Sequence, residues 1–527
     1  MKKNFKKFLK LNTKYNFSSF PKKILIVDRE RDFQSIFNSI FAIALGAVSK
    51  KNSIILSRKK ELKSVKIFQS FGFTNYIFPK EFLIGPYSVI VLLKTIYLTL
   101  ITIFKIKLYG FEFFIRKFTI NNIPFGDLIY DYYKRFDKKF LNLRIDFKFI
   151  KILFKSIFKI YLCFNIIKKN EINFMIVSSA VYATYSGIMS RIGIYQKIKV
   201  IEPHLTKDLL GLSYLVYNPK KKLYFTSDSA TYSNLKKNFY KVTKNLAIKD
   251  LDNFLDNRYS GKIKTTYTTP HDIKNLKKYN IKLTKKKLLK KFGFDENQIK
   301  KIVVISPHAF SDTTYNDGRI HFIDYYHHFL ETIKYVSSIN SKKILWLVRS
   351  HPSSSMYGEN GIVEKITERY SNKYIKVCPK ISSKDLIKIC DHAVTCTGRI
   401  SLEFAAAGKR SIMGGINDLS SFNLFKTSSN KKNYFLTLKN ILKINKLNDH
   451  KKNQAKKLLF FLETLKPNIV LPESEIIDKK VLKKYQKKFD FISTTLLNNL
   501  KKKNFYNDRF FKTLVNKIKD DKDFFKY

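Results

Sequence analysis

Short apolar runs closed by polar clusters recur along the chain and alternate with longer stretches in which apolar positions return every three or four residues. In the first half the runs are residues 22–28 (KKILIVD), 53–57, 174–179 (FMIVSS) and 198–202. In the second they are residues 301–306 (KIVVIS), 344–349 (ILWLVR), 374–378 (YIKVC), 392–396 (HAVTC) and 410–413. A continuous apolar run bounded by polar residues is the pattern of a strand buried on both faces, and strands alternating with amphipathic helices predict an α/β fold with parallel sheets. The spacing implies two Rossmann-like domains, the second the more regular.

Between the strand patterns at 53–57 and 174–179 lies a long helical, aromatic region, read as an insertion of about residues 87–168 in the first domain. Residues 87–104 form an apolar stretch with Lys94 at its centre, at the short limit for a membrane span, and are read as a packed helix. Residues 147–167 place Lys148, Lys151, Lys155 and Lys159 at helical steps among Phe149, Leu153, Ile157 and Ile160, a basic amphipathic helix. Such a helix suits a solvated face on a packed element or an anionic membrane surface, and the pattern leaves both open. The chain turns polar and Lys-rich after about residue 256, which sets the domain division at 1–260, a linker at 261–292, a second domain at 293–440 and a Lys-rich helical extension at 441–527.

Composition changes this picture in one respect. The 527 residues carry 101 Lys+Arg against 41 Asp+Glu, a formal charge of +60, with 44% apolar residues. The apolar fraction is that of a folded protein and excludes wholesale disorder. Only 14 of the 101 basic residues are Arg, and Lys is accompanied by abundant Ile, Asn, Phe and Tyr, residues whose codons can be written with A and T alone. Much of the charge is thus read as genome bias, leaving a chain attracted to anions. No arginine-rich or aromatic-basic module points to nucleic acid. The four cysteines form no C-x-x-C pair and read as reduced thiols. The basic first 22 residues lack an apolar core and a small-residue cleavage site, so no export signal is expected and a cytoplasmic location is.

Ligands of open parallel sheets bind beyond the carboxyl ends of the strands. In the second domain those positions read Pro307-His308-Ala309-Phe310-Ser311-Asp312, Ser350-His351-Pro352-Ser353 and Thr397-Gly398-Arg399-Ile400-Ser401-Leu402-Glu403. Arg349 and His351 stand at one strand end, where a guanidinium and an imidazole suit a diphosphate. Gly398, Arg399 and Ser401 open a helix, a place for phosphate, and Glu403 one turn on suits ribose hydroxyls. Ser353 adds a hydroxyl or forms a turn. For proton transfer the candidates are Asp127, His308 and Asp312, with Asp131 as a further carboxylate that suits an i+4 pair with Arg135.

VRSHPSS (348–354), TGRISLEFAAAGKRSI (397–412) and SPHAFSDTTY (306–315) resemble the nucleotide-binding half of bacterial capsule and surface-polysaccharide glycosyltransferases of the two-Rossmann-domain, or GT-B, type. IPFGDLIYDYYKR (123–135) and VSSAVYATYSGIMSRIGI (177–194) resemble parts of the first half of the same group. The resemblance implies a nucleotide sugar held by the second domain and a glycan or lipid-linked acceptor held by the first. Transfer would take place in a cleft between them, at the inner face of the plasma membrane. The His-Pro and serine pattern is similar to that of enzymes using CMP-activated acidic sugars, while UDP and GDP donors stay open. No Asp-x-Asp pattern lies in or directly beside the donor loops, so catalysis without a metal is expected. A teichoic-acid-like polyol-phosphate transferase and a nucleotide-sugar epimerase share the architecture. A non-catalytic protein binding anionic membrane or nucleic acid is the reading from another class. Arg399 stands where many relatives carry a smaller residue, and Ser178-Ser179 where a histidine or other polar group is looked for; both leave the donor open.

Overall fold

The computed structural model describes residues 23–28, 32–49, 52–83, 86–137, 144–205, 211–217, 239–241, 243–259, 283–315, 319–339, 341–465, 469–470 and 509–520. The basic amino terminus, most of the 261–292 segment and much of the Lys-rich carboxyl-terminal region lie outside them. The chain divides into two compact units, residues 1–132, 144–231 and 467–527 in the first, and 133–143 and 232–466 in the second.

In the first unit the strands are β1 (Lys23–Val27), β2 (Asn52–Leu56), β3 (Tyr76–Ile77), β6 (Ile172–Ile176), β7 (Lys199–Leu205) and β8 (Gly211–Tyr217), with a short hairpin, β4 (Thr119–Ile120) and β5 (Ile123–Pro124), outside the main sheet. The sheet order is β8-β7-β6-β1-β2-β3, extended beyond β8 by a strand at Ile469–Val470. Five strands, β7 to β3 in that order, are parallel, and β8 returns antiparallel to β7. Ile24 to Val27 are fully buried, as the apolar run requires of a central strand. Helices α1 (Asp32–Ser49) and α2 (Lys63–Ser70) follow β1 and β2. Ile36, Phe37, Ile40 and Phe41 of α1 close a core with Ile24, Ile26 and Phe174 of the sheet and with Phe511, Leu514 and Ile518 of a late helix (Arg509–Asp520).

The inserted region fills the crossover from edge strand β3 to central strand β6. It consists of α3 (Pro86–Lys117), the β4–β5 hairpin, α4 (Gly126–Asp137) and α5 (Phe147–Lys169), and α6 (Tyr185–Tyr195) follows β6. α3 is broken at Gly110, whose φ of 79° and ψ of 173° are open to glycine and strained for any other residue. α5 starts at a capped end, Asp146 accepting from the Phe149 amide at 2.8 Å, and buries Phe149, Leu153, Ile157, Ile160 and Ile166. Lys148, Lys151 and Lys155 point to solvent. Lys159 is more enclosed and donates to the Ala183 carbonyl at 2.8 Å, its pKa lowered by burial to about 8. The apolar face of the basic helix is therefore turned into its own domain.

The second unit holds a six-stranded, wholly parallel sheet of order β12-β11-β9-β13-β14-β16. Its strands are β9 (Lys301–Ile305), β11 (Ile344–Val348), β12 (Ile375–Val377), β13 (His392–Thr395), β14 (Ile412–Met413) and β16 (Lys426–Thr427), with a separate hairpin of β10 (Arg319–Ile320) and β15 (Gly415–Ile416). Numbered by appearance within the six, the order is 3-2-1-4-5-6, that of a doubly wound nucleotide-binding fold, with the switch point between β9 and β13. Alternate residues of the central strands, Ile302 and Val304 with Leu345 and Leu347, pack on one face against Leu288, Leu386 and Phe404. α7 (Ile248–Tyr259) also belongs to this unit, as does the helix at Asp449–Phe460, whose Ala455, Leu458 and Leu459 pack against Leu402, Ala405 and Ala406. Both units are thus α/β with Rossmann-like sheets, as the strand pattern predicts. The short strands β3, β12, β14 and β16 are two or three residues long, which is why the sequence pattern gives them loose bounds or none.

Candidate functional site

The strand order directs attention to the loops that leave β9 and β13 on either side of the switch point. The β9 loop is fixed by a carboxylate that the sequence pattern does not single out. Glu359, 2% exposed, accepts from the Phe310 and Ser311 amides and from the Ser311 hydroxyl, all at 2.8 Å. Burial raises its pKa against the pull of these three donors and of Lys134. The Lys134 ammonium, fully buried, reaches the Phe310 and Asp312 carbonyls at 3.5 and 3.4 Å and the Thr314 hydroxyl. A turn that would otherwise splay at the surface is thereby held by one anion and one cation.

His308 sits on this fixed turn. Its ring stacks on Tyr325, the first residue of α8 (Tyr325–Ile339), with centroids 4.2 Å apart and planes 13° from parallel. His351, after β11, lies nearly parallel to it at 6.3 Å. Burial, His351 and His328 together lower the His308 pKa to about 3, so the imidazole is neutral at physiological pH. Its Nε2 is 3.3 Å from the Thr397 hydroxyl in the β13 loop. The next residue, Gly398, is where a side chain has no room: a Cβ there would lie 2.6 Å from Thr395 Oγ1 and 3.3 Å from His308 Nε2. His351 Nδ1 accepts from the Ser353 amide at 3.2 Å, which leaves Nε2 as the ring's N–H donor. Arg349, between β11 and His351, is half-buried and forms no hydrogen bond or ion pair through its guanidinium among the described residues. His308, His351, Thr397, Gly398 and Tyr325 thus form one cluster, with Arg349 two residues before His351.

A second group sits along α9 (Ile400–Ala406). Glu403 Oε1 accepts from Arg258 Nη2 at 2.7 Å, and Glu463 pairs with Arg258 at 3.6 Å and with Arg399 at 3.3 Å. Glu403 Oε2 has no hydrogen-bond partner among the described residues. Ser401, fully buried, donates to the Gly398 carbonyl at 2.7 Å and so braces the turn. Asp312 accepts from the Thr313 amide at 2.9 Å and from Tyr357, whose pKa burial and Asp312 push up to about 12 while Arg135 lies 4.3 Å over its ring.

Asp127 belongs to the first unit. It is 3% exposed and takes both guanidinium nitrogens of Arg191, at 3.1 and 2.7 Å, while Arg191 also donates to the Pro124 carbonyl at 2.9 Å. Its neighbour Gly126 admits no Cβ, which would meet the Phe114 carbonyl at 2.1 Å. At the switch point of this unit, Asp28 accepts from Ser57 at 2.8 Å and Ser64 at 2.6 Å, while the Ser178 and Ser179 amides donate to the Ser186 hydroxyl at 3.2 and 3.1 Å.

Thr397 stands among the loop positions that the sequence offers, whereas Tyr325, Glu359, Lys134, Arg258 and Glu463 escape the sequence reading because each is defined by a partner distant in sequence. Only Lys134 carried a signal, standing within the 123–135 segment. A cleft of about 420 Å³, lined by Arg410, Lys426, Lys443 and Asn440, opens near the amino ends of β14 and β16, the opposite end of the sheet from the histidine cluster.

No protein-family model matches the chain, and no curated protein matches it. Among solved structures it is similar to a UDP complex of Staphylococcus aureus MnaA, with 11% identity, 83% of this chain and 91% of that one covered, and a TM-score of 0.24. The UDP-GlcNAc 2-epimerase of Neisseria meningitidis bound to UDP-GlcNAc gives 13% identity, coverage of 83% and 98%, and a TM-score of 0.25. The wall teichoic acid polymerase TagF gives 9% identity, coverage of 95% of each chain, and a TM-score of 0.21. At such identities and TM-scores none of them decides what this chain does; its own strand order and site residues carry that weight.

Proposed function

We propose that this protein is a glycosyltransferase of the GT-B type that moves a sugar from a nucleotide-activated donor to a growing surface polysaccharide or lipid-linked acceptor without a metal. The observation that carries the reading is the cluster at the β9–β13 switch point. The imidazoles of His308 and His351 lie nearly parallel, His308 Nε2 stands beside Gly398, and the guanidinium of Arg349, two residues before His351, has no carboxylate partner among the described residues. An imidazole N–H donor and a cation without a carboxylate partner are what a nucleotide diphosphate or monophosphate ester requires of its pocket.

In this reading His351 Nε2 and Arg349 donate to the phosphate that departs with the nucleotide and stabilise the charge that develops there. Gly398 lets the β13 loop pack close on Thr395 and His308, Ser401 braces that turn from within, and Ser353 and Arg399 flank the phosphate site. Glu403, held through Oε1 by Arg258, offers Oε2 to ribose hydroxyls. For the acceptor's proton the groups are Asp127, His308 and Asp312. His308 accepts one only transiently, because its environment opposes the charged form. The serine-rich His-Pro loop suits a CMP-activated acidic sugar, and a cytoplasmic location follows from the nucleotide.

The experiment is a thermal-shift comparison of CMP, UDP, GDP, CDP and TDP with metal chelated. A rise for one nucleotide, lost in His351→Ala and Arg349→Ala, is the expected result. A rise confined to CDP moves the reading to a polyol-phosphate transferase. The absence of a rise with every nucleotide would leave the cluster without its ligand and sink the reading.

A further inference from the structure

We infer that the outer face of α3 is a docking surface for an anionic lipid bilayer, on which the first unit lies without crossing it. The observation is an inversion of the usual helix. Along α3 the buried stripe is Val91, Thr95, Thr99, Thr102 and Ile106, and its three threonine hydroxyls donate back to the carbonyls of Val91, Thr95 and Leu98 at 2.7, 2.7 and 2.6 Å. The opposite stripe, exposed to solvent, is Val89, Leu93, Tyr97, Leu100, Phe104 and Leu108, with Leu93 61% and Phe104 62% exposed. The helix turns its more polar side inward and its most apolar side outward. Its mean hydropathy reaches 2.1, the level of a membrane helix.

From Val89 to Leu108 the exposed stripe runs for about 29 Å. A continuous apolar strip of that length is more than a soluble monomer leaves to water. It is no span, because its other side packs along α5, a helix whose Lys148, Lys151 and Lys155 are exposed and whose core residues belong to the α/β domain. The fitting geometry is a helix lying in the headgroup plane.

Charge selects the occupant. Between residues 86 and 111 the only ionisable side chains with a charge at neutral pH are Lys94, Lys105 and Lys107, all exposed, with no Asp or Glu. Lys94 and Lys105 are about three turns apart on one flank of the apolar strip, where they can snorkel to phosphates. Phe149 packs on Phe111 at 5.2 Å and Phe114 at 5.7 Å, which brings the exposed Phe147 and Lys148 to the far end of the same helix. A second copy of this chain would press like charges together, whereas anionic headgroups neutralise them. This surface is separate from the nucleotide cluster, so it stands or falls independently of that assignment.

The test is flotation of the full-length protein with vesicles of phosphatidylcholine alone or containing 30% phosphatidylglycerol. The expected result is recovery with the anionic vesicles at least tenfold above the neutral ones. The triple variant Leu93→Ser, Leu100→Ser, Phe104→Ser should lose that binding tenfold or more with its thermal unfolding unchanged, since all three side chains are exposed. Lys94→Gln with Lys105→Gln and Lys107→Gln should abolish the anionic preference. Binding undiminished in the triple variant, failure of the wild type to float, or a dimer in light scattering that the triple variant dissolves without any vesicle binding would each overturn the assignment. Resistance of bound protein to alkaline carbonate extraction would overturn the interfacial geometry in favour of a span.

Discussion

The imidazole of His308 lies against the phenol ring of Tyr325, 4.2 Å between centroids and 13° from parallel, and this stack fixes where His308 Nε2 points. Tyr325 begins a helix and is 1% exposed, so its ring has no freedom to follow a moving partner.

Tyr325→Leu removes the stack and keeps an apolar filler of smaller size. The expected result is a loss of a few kcal/mol or less in stability, about 1–3 kcal/mol, with a tenfold or greater fall in nucleotide affinity by calorimetry. Unchanged affinity would show that the orientation of His308 is irrelevant to binding.

At Gly398 an added methyl meets Thr395 Oγ1 at 2.6 Å and His308 Nε2 at 3.3 Å. Gly398→Ala should therefore displace His308 or the β13 loop. Nucleotide binding measured by titration is expected to drop sharply while circular dichroism stays native. A variant with full binding would mean that the loop relaxes at no functional cost.

Glu359 serves three donors of the β9 turn. Its replacement in Glu359→Ala leaves the Phe310 and Ser311 amides and the Lys134 ammonium without their anion. The loss in urea unfolding should be about 3 kcal/mol or more, the scale of a broken buried charged network. Glu359→Gln, which keeps one acceptor oxygen, should recover part of it.

Acid should destabilise the second unit in a defined window. His308 and His328 are held neutral in the folded protein, both with pKa lowered by burial to about 3, and His392 is shifted the same way. An unfolded histidine takes up its proton near 6.5, so as pH falls below that value the unfolded chain binds protons that the folded one refuses. Stability is full above that pH and declines as pH falls towards the folded pKa. For His328, which is 1% exposed, the decline from pH 6.5 to 5 is up to about 2 kcal/mol. Denaturant melts at pH 7, 6 and 5 check this; a flat profile would mean that these rings take up protons in the fold as readily as in the unfolded chain.

Asp127→Asn distinguishes two roles for a buried carboxylate. Held by Arg191, it should lower stability by about 3–5 kcal/mol if its main part is the pair. Loss of transfer with nucleotide binding and stability kept would mark it as the base.

The elements were legible in the sequence because their signals are local. A strand buried on both faces must be apolar throughout, so 22–28, 301–306, 344–349 and 392–396 read as strands, and β1, β9, β11 and β13 begin and end within two residues of those bounds. Ligand loops follow strand ends, so His308, His351 and Gly398 could be picked out before any coordinates. The sequence could not give the strand order, because that is a matter of which distant segments pair.

What the sequence determined by itself is the α/β alternation, the inserted helices and the polar loops at the strand ends. The tertiary structure alone decided the partners: Glu359 under the β9 turn, Tyr325 against His308, Arg258 on Glu403, Arg191 on Asp127. It also decided which side of α3 faces the protein. An apolar stretch such as residues 87–104 has the same composition whether it is packed or exposed, and its expectation as a packed helix holds only for the threonine side. Periodicity and run length are carried by neighbours along the chain, whereas pairing and exposure are set by residues that folding brings together.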